Sequence, residues 1–185
     1  MKKIPISGGP GTGKTTLINQ IQTVLPNAYI VPEPAEIVIT AELALAEKET
    51  DYIPAVPWID YSRFGPKVAA KSEQLESEIP AGTELVLQDR SLIDTIAYCR
   101  IEGFETFIPT VLKKIAKANY AFAFFCEPVG VYTSTEVRHE DREKAQQTHQ
   151  QLKKAYSESG LEVVELPSVS VEKRLQLLKK VILSQ

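Results

Sequence analysis

Short apolar runs alternate along the chain with longer segments in which apolar and polar residues mix. Five runs have the length and composition of β-strands, at residues 3–7, 28–31, 84–89, 121–126 and 161–166. In the segments between them, recurring apolar positions predict helices at 15–25, 35–47, 92–100, 107–117 and 171–182, with a more polar helix ending near 77. This alternation predicts an α/β protein whose parallel sheet carries helices on both faces.

The 185 residues are expected to form one domain, 1–185, because the length suits one hydrophobic core and no linker or repeat divides it. The composition, 43% hydrophobic and 24% charged, is typical of a soluble globular protein. A formal net charge of -3 gives no general attraction to nucleic acid polymers. No apolar run reaches the length of a membrane span and no signal peptide is recognised, so we expect a cytoplasmic monomer or homodimer.

The most distinctive motif begins directly after the first predicted strand. It has the spacing of a phosphate-binding P-loop, a glycine followed by four residues and then Gly-Lys-Thr. The glycines allow several backbone N–H groups to face one hollow, and the following helix adds its dipole. Lys14 is expected to neutralise the β- and γ-phosphates, and the Thr15 hydroxyl to coordinate Mg²⁺. The predicted nucleotide-binding residues are Gly8, Gly9, Pro10, Gly11, Thr12, Gly13, Lys14, Thr15 and Thr16.

Two acidic residues follow predicted strands at the sheet edge where open α/β proteins bind their ligands. Glu33 comes after the strand at 28–31, and it has two readings of equal weight: a ligand-binding acid, or an acid favoured by the dipole of the next helix. Asp89 ends the strand at 84–89 in the Walker B pattern, which predicts a place in the Mg²⁺ coordination shell. Arg90 follows at once and could reach the transferred phosphate.

Region 50–80 contains three aromatic residues at three-residue spacing, Trp58, Tyr61 and Phe64, which share one side if this segment is helical. They could stack on a planar acceptor, which makes this region the candidate acceptor-binding region. The alternative, favoured about two to one, is that the aromatic residues belong to the hydrophobic core.

Residues 133–150 are strongly polar and contain Arg138 and Arg142, four positions apart. They could form a solvated helix stabilised by ion pairs. Their position after the fourth predicted strand favours a lid whose arginines close over the nucleotide phosphates.

Together these motifs resemble the NadR/TTD14-like P-loop ATPase and kinase family (AAA_28-like), which is related to the nucleoside and nucleotide kinases. The supporting residues are 8–16, Val-Pro-Glu-Pro at 31–34, Asp-Arg-Ser at 89–91 with Asp94, Thr95 and Tyr98, and the pair Arg138 and Arg142. The resemblance implies a three-layer P-loop NTPase fold with a five-stranded parallel sheet of order 2-3-1-4-5 and a lid. It also implies that Glu33 contacts the acceptor hydroxyl and that Arg90 lies near the transferred phosphate.

These observations predict an enzyme that transfers the γ-phosphate of ATP, with Mg²⁺, to a small hydroxyl-bearing acceptor, and a nucleoside-like molecule is the favoured class. GTP is an alternative donor. The predicted catalytic residues are Lys14, Glu33, Asp89, Arg90, Arg138 and Arg142. The predicted acceptor-binding residues are Glu33, Trp58, Tyr61, Phe64 and Arg90, and the predicted metal ligands are Thr15 and Asp89. Either Glu33 or Asp89 could be the base, and Glu33 is favoured because Asp89 is assigned to the metal.

The main alternative is a regulatory NTPase that hydrolyses ATP or GTP and responds to a protein or lipid partner. A motor of the AAA+ class is disfavoured, because the chain is too short for the helical lid domain of that class. The strand at 84–89 also lacks the Asp-Glu pair of that class.

Overall fold

The computed structural model describes residues 1–129 and 142–185, with the side chain of Arg142 excepted. Residues 133–141, which are half of the proposed lid and include Arg138, therefore lie outside the described residues. The strands are Lys2–Ser7 (β1), Tyr29–Val31 (β2), Leu85–Asp89 (β3), Ala123–Cys126 (β4) and Val163–Leu166 (β5). The helices are Lys14–Val24 (α1), Pro34–Lys48 (α2), Tyr61–Ser77 (α3), Leu92–Ile101 (α4), Ile108–Ala118 (α5), Arg142–Glu158 (α6) and Val171–Ser184 (α7), and a 3-10 turn at Glu105–Phe107 precedes α5.

The strands form one sheet in the order β2-β3-β1-β4-β5, and all neighbouring strands are parallel. This order confirms the predicted α/β fold. In the register of the sheet, Ile6 lies between Asp89 and Phe124, so β1, β3 and β4 end at the same edge. Residues that directly follow these strands are thereby brought close together.

Among residues 1–129 and 142–185 the buried apolar side chains form three clusters, and two of them pack against the sheet, one on each face. On one face α1 and α7 pack against the strands, and on the other α4, α5 and α6 do so. The sequence of β4 is continuously apolar because its side chains enter both clusters. Phe124 belongs to the first cluster, whereas Ala123 and Phe125 belong to the second. A strand buried on both faces favours apolar side chains along its whole length.

The loop between α2 and α3 is attached to the domain by one buried carboxylate, that of Glu42. It accepts hydrogen bonds from the Tyr52 hydroxyl at 2.6 Å and the Ala55 backbone N–H at 2.7 Å, and it pairs with the ammonium group of Lys67. Burial favours the protonated acid, but these donors outweigh it and lower the pKa of Glu42 to about 2. Glu42 thus fixes the segment that precedes the candidate acceptor-binding aromatics.

We expect Glu42→Gln to lower the free energy of unfolding at pH 7 by about 1–2 kcal/mol, because the charged acceptor of three hydrogen bonds is lost. The pKa of Glu42 is depressed in the folded state, so its contribution is present above pH 4.5 and is lost as the pH falls toward about 2. Urea unfolding curves from pH 7 to pH 2 should therefore show a steeper acid loss for the wild type than for the variant. Glu47→Gln, at an exposed position of α2, is the control. Parallel curves for wild type and Glu42→Gln would contradict this role.

Candidate functional site

The glycine-rich loop connects β1 to α1 and has the local geometry that a P-loop requires. Gly13 has a φ of 73°, in the left-handed region, and serves as the N-cap residue of α1, so that Lys14 is the first helical residue. The Thr12 hydroxyl donates to the Gly9 carbonyl at 2.9 Å and closes the loop on itself. Thr15 is exposed at the start of the helix. The positive end of the helix dipole is thus directed to the side on which phosphates would bind.

Two carboxylates at adjacent strand ends face the ammonium group of Lys14. Its Nζ lies 3.1 Å from Glu33 Oε2 and also contacts Asp89 Oδ1. All three side chains are buried. Burial raises the pKa of Asp89 above its ordinary value, although the Lys14 ammonium acts in the opposite direction. Glu33 is the N-cap residue of α2 but makes no side-chain capping hydrogen bond, and its carboxylate is directed to Lys14 and Arg90.

Arg90 is held in an unusual backbone conformation at the centre of the same group. Its φ is 67°, which a non-glycine residue adopts only at a cost of about 1 kcal/mol or more. Its Nε lies 3.0 Å from Glu33 Oε1, and its Nη1 donates to Asp94 Oδ1 at 3.0 Å. Burial disfavours the charged guanidinium, but Glu33 and Asp94 help to hold the pKa of Arg90 well above its ordinary value. Its buried Nη2 has no hydrogen-bond partner among the described residues.

The carboxylate of Asp94 holds the Arg90 guanidinium in this position. This carboxylate accepts from the Ser7 hydroxyl at 2.6 Å, the Tyr156 hydroxyl at 2.7 Å and the Ser91 N–H at 3.0 Å. It thereby joins the end of β1 to α4 and α6. The sequence contains a signal for this residue, because Ser91 and Asp94 have the spacing of a helix capping box, which the structure contains.

The other side of the glycine-rich loop is supported by residues that the sequence did not indicate. The guanidinium of Arg174, on α7, donates to the backbone carbonyls of Pro167, Glu127 and Thr12. His149, on α6, accepts a hydrogen bond from the Gly9 N–H. These residues are far from the loop in sequence, and no local motif marks them.

The three predicted acceptor-binding aromatics do not share one helical side. Tyr61 begins α3, so Trp58 precedes the helix, and it is 54% exposed. Tyr61 and Phe64 are buried against Val38 and Cys99, with their rings edge to face at a centroid distance of 6.0 Å. Tyr61 and Phe64 therefore lie in the hydrophobic core, which was the alternative interpretation of the aromatic residues.

The residues present fit Mg²⁺ bound together with a nucleotide. Within residues 1–129 and 142–185, no group of three or more His, Cys, Asp or Glu residues could hold a metal ion. Mg²⁺ at phosphate sites commonly takes one or two protein ligands and completes its shell with phosphates and water. The Asp89 carboxylate and the Thr15 hydroxyl could supply these ligands. In the described part of the chain, no helix is long and apolar enough to cross a membrane.

The sheet order, the glycine-rich loop and the charged residues at the ends of β2 and β3 define a P-loop protein with the fold of nucleotide kinases. A family model, AAA_28 (AAA domain), matches residues 3–174, and the chain belongs to this family. Comparison with curated proteins gives no match.

Solved structures with the same fold include two of NadR. The NadR protein in complex with NR is 24% identical, with a TM-score of 0.66. The match covers 98% of the present chain and 50% of the NadR chain. NadR in complex with NAD and AMP-PNP is 21% identical, with a TM-score of 0.68. This match covers 98% of the present chain and 48% of the NadR chain. The present chain therefore spans about half the length of these NadR chains. Thymidylate kinase from Ehrlichia chaffeensis is 14% identical with a TM-score of 0.66, and 98% of each chain is covered.

Proposed function

We propose that this protein transfers the γ-phosphate of ATP to a hydroxyl group of a small, nucleoside-like acceptor. The observation that carries the proposal is the position of the Glu33 carboxylate, which lies between the P-loop lysine and the buried guanidinium of Arg90. A lysine for the donor phosphates, an arginine for the moving phosphoryl group and a carboxylate for the acceptor hydroxyl are the parts that such a transfer needs.

On the donor side, the loop N–H groups and Lys14 would bind the triphosphate of ATP, and GTP is an alternative donor. Thr15 and Asp89 would hold Mg²⁺, which when bound neutralises charge on the β- and γ-phosphates. Arg90 would bind the transferred group, since its Nη2 is a buried donor with no hydrogen-bond partner in the described part of the chain. A preorganised donor of this kind stabilises charge that develops in the transition state.

On the acceptor side, Glu33 would accept the proton of the attacking hydroxyl. The acceptor oxygen then bonds to the γ-phosphorus, and the bond from this phosphorus to the β–γ bridging oxygen breaks, which leaves ADP. The apolar and aromatic cluster of Val38, Tyr61 and Phe64 packs beside α2, the helix that Glu33 caps. The NadR complex with NR and the thymidylate kinase, which share the fold, support a nucleoside-like acceptor.

A second candidate is a regulatory NTPase with a protein or lipid partner. It is favoured by three large apolar side chains that are exposed near the start of α3: Ile53 (62%), Trp58 (54%) and Ile59 (50%). A regulatory NTPase would release phosphate slowly without a small acceptor, and a partner would change that rate.

We expect Glu33→Gln to lower acceptor-dependent ADP formation about 10²-fold, because the amide cannot take the hydroxyl proton. Affinity for MgATP should stay within about threefold, since the amide oxygen still offers an acceptor to Lys14. The measurement is steady-state ADP release with a panel of nucleosides and ribosides. Glu36→Gln, at an exposed position in the first turn of α2, is the matched control. Unchanged acceptor-dependent turnover in Glu33→Gln would remove Glu33 from the role of base.

A further inference from the structure

Helix α6 touches the glycine-rich loop where Gly9 meets His149. A Cβ atom placed on Gly9 would lie 2.6 Å from the Cβ of His149 and 2.9 Å from its Cα, so only glycine permits this approach. The Gly9 N–H donates to His149 Nδ1 at 3.2 Å, and the imidazole is buried. The first turn of the P-loop is thus held by a side chain about 140 residues away in sequence.

The neighbours of the two ring nitrogens determine which nitrogen of the neutral His149 imidazole carries the proton. Nε2 lies 3.3 Å from Glu127 Oε2, and Glu127 directly follows β4. Glu127 is also paired with Lys153 at 2.7 Å, which keeps its carboxylate charged and in place. Because Nδ1 accepts from Gly9, the proton of the neutral imidazole belongs on Nε2, where it faces Glu127.

We infer that His149 is a positioning residue of the nucleotide site, and that its neutral imidazole holds the glycine-rich loop in the shape that receives the phosphates. The inference rests on the proposed function only in requiring that this loop binds a nucleotide. A loop that loses this hydrogen bond populates other shapes, and the apparent affinity for nucleotide falls with the fraction of the correct shape.

The charges around His149 determine the pH at which this support is lost. Burial lowers the pKa of His149 below 6.5, and Glu127 acts in the opposite direction. Lys153 also faces the ring and favours the neutral form, whereas Glu165, which pairs with Lys153, favours the charged form. Glu127 itself stays ionised in this range, because Lys153 and His149 lower its pKa against the effect of burial.

The protonation state of His149 decides whether Nδ1 can accept the hydrogen bond from Gly9. At pH 7 and above the imidazole is neutral and accepts from Gly9. As the pH falls through the lowered pKa of His149, protonation makes Nδ1 a donor that faces another donor, the Gly9 N–H, and the hydrogen bond is lost.

Two substitutions separate the role of Nδ1 from that of packing alone. In His149→Asn the amide Oδ1 takes the place of Nδ1 and can accept from Gly9, but the side chain does not titrate. In His149→Leu the volume is largely kept and the acceptor is lost. Gln150→Leu, at the exposed neighbouring position of α6, is the control.

Calorimetric titration with MgATP and with MgADP at pH 7.5 should give an affinity about tenfold lower for His149→Leu than for the wild type. His149→Asn should restore most of the affinity, to within about threefold. Between pH 7.5 and 5.0 the affinity of the wild type relative to that of His149→Asn should fall by about twofold or more, because the pKa of His149 lies below its ordinary value. The nucleotide phosphates also titrate in this range, with a pKa of about 6. Because this affects both proteins equally, it cancels in the ratio of their affinities.

Equal affinities of the folded Leu and Asn variants, or a wild-type to Asn ratio that does not change with pH, would overturn the inference alone. If His149→Leu does not fold, the pH dependence of the wild-type to Asn ratio decides by itself. Failure of the folded wild type to bind either nucleotide at pH 7.5 would overturn the proposed function as well.

Discussion

Replacing Lys14 by alanine should lower the turnover of ATP by about 10³-fold and weaken the binding of MgATP. Lys14 supplies the cation of the glycine-rich loop, and its Nζ lies between the buried carboxylates of Glu33 and Asp89. Without it the phosphates would meet two buried carboxylates, and the Arg90 guanidinium, which pairs with Glu33 at 3.0 Å, would be left to offset both. The loss should therefore appear in both the binding and the chemical step.

The same substitution also removes a partner from both carboxylates, so stability has to be measured alongside activity. Lys14→Met, which keeps most of the volume, should show the same loss of turnover as Lys14→Ala. Lys113→Ala removes one positive charge at an exposed position of α5 and should leave turnover unchanged. Normal affinity and normal turnover in folded Lys14→Ala would reject the assignment of the loop as the donor site.

Replacing Arg90 by lysine should lower kcat by about 10³-fold while changing the affinity for MgATP by no more than about threefold. Lysine keeps the charge, but its single ammonium group cannot pair with Glu33 and Asp94 and still offer a free donor to the phosphoryl group. Because the interaction with the moving phosphoryl strengthens in the transition state, kcat should fall and binding should not.

Arg100→Lys is the matched control for Arg90→Lys. Arg100 lies on α4 and forms an ion pair with Glu158 at the surface, 2.8 Å apart, so its replacement by lysine should leave kcat unchanged. Thermal unfolding of both variants separates a catalytic effect from loss of folded protein. A kcat for Arg90→Lys within tenfold of the wild type would show that Arg90 acts only through the structure.

The parts of the proposed donor site are local motifs, so their positions relative to the sheet could be predicted from the sequence. The apolar runs predicted the strands, and parallel strands end at the same edge of a sheet. Glu33, which follows β2, and Asp89, which ends β3, were therefore expected at the edge of the sheet where ligands bind, and both contact Lys14 there. The strand order was implied by the family resemblance, and the structure confirms it.

The remaining contacts depend on how distant helices pack, which local patterns do not encode. His149 and Arg174 reach the loop from α6 and α7, and the chain between them and the loop exceeds 100 residues. The aromatic spacing of region 50–80 indicated a helix side, but Asp60 caps α3 so that Trp58 is left outside it. Arg138 lies outside the described residues and the side chain of Arg142 is not described, so their lid role stays a prediction.

The most direct test of the central proposal is the fate of the γ-phosphate. ATP labelled at the γ-position is incubated with the protein, Mg²⁺ and each member of a panel of nucleosides and ribosides, and the labelled products are separated. We predict one acceptor class that yields a labelled phosphomonoester, with ADP formed in equal amount and with loss of the product in Glu33→Gln. Label found only in inorganic phosphate, at a rate that no acceptor changes, would contradict the proposal.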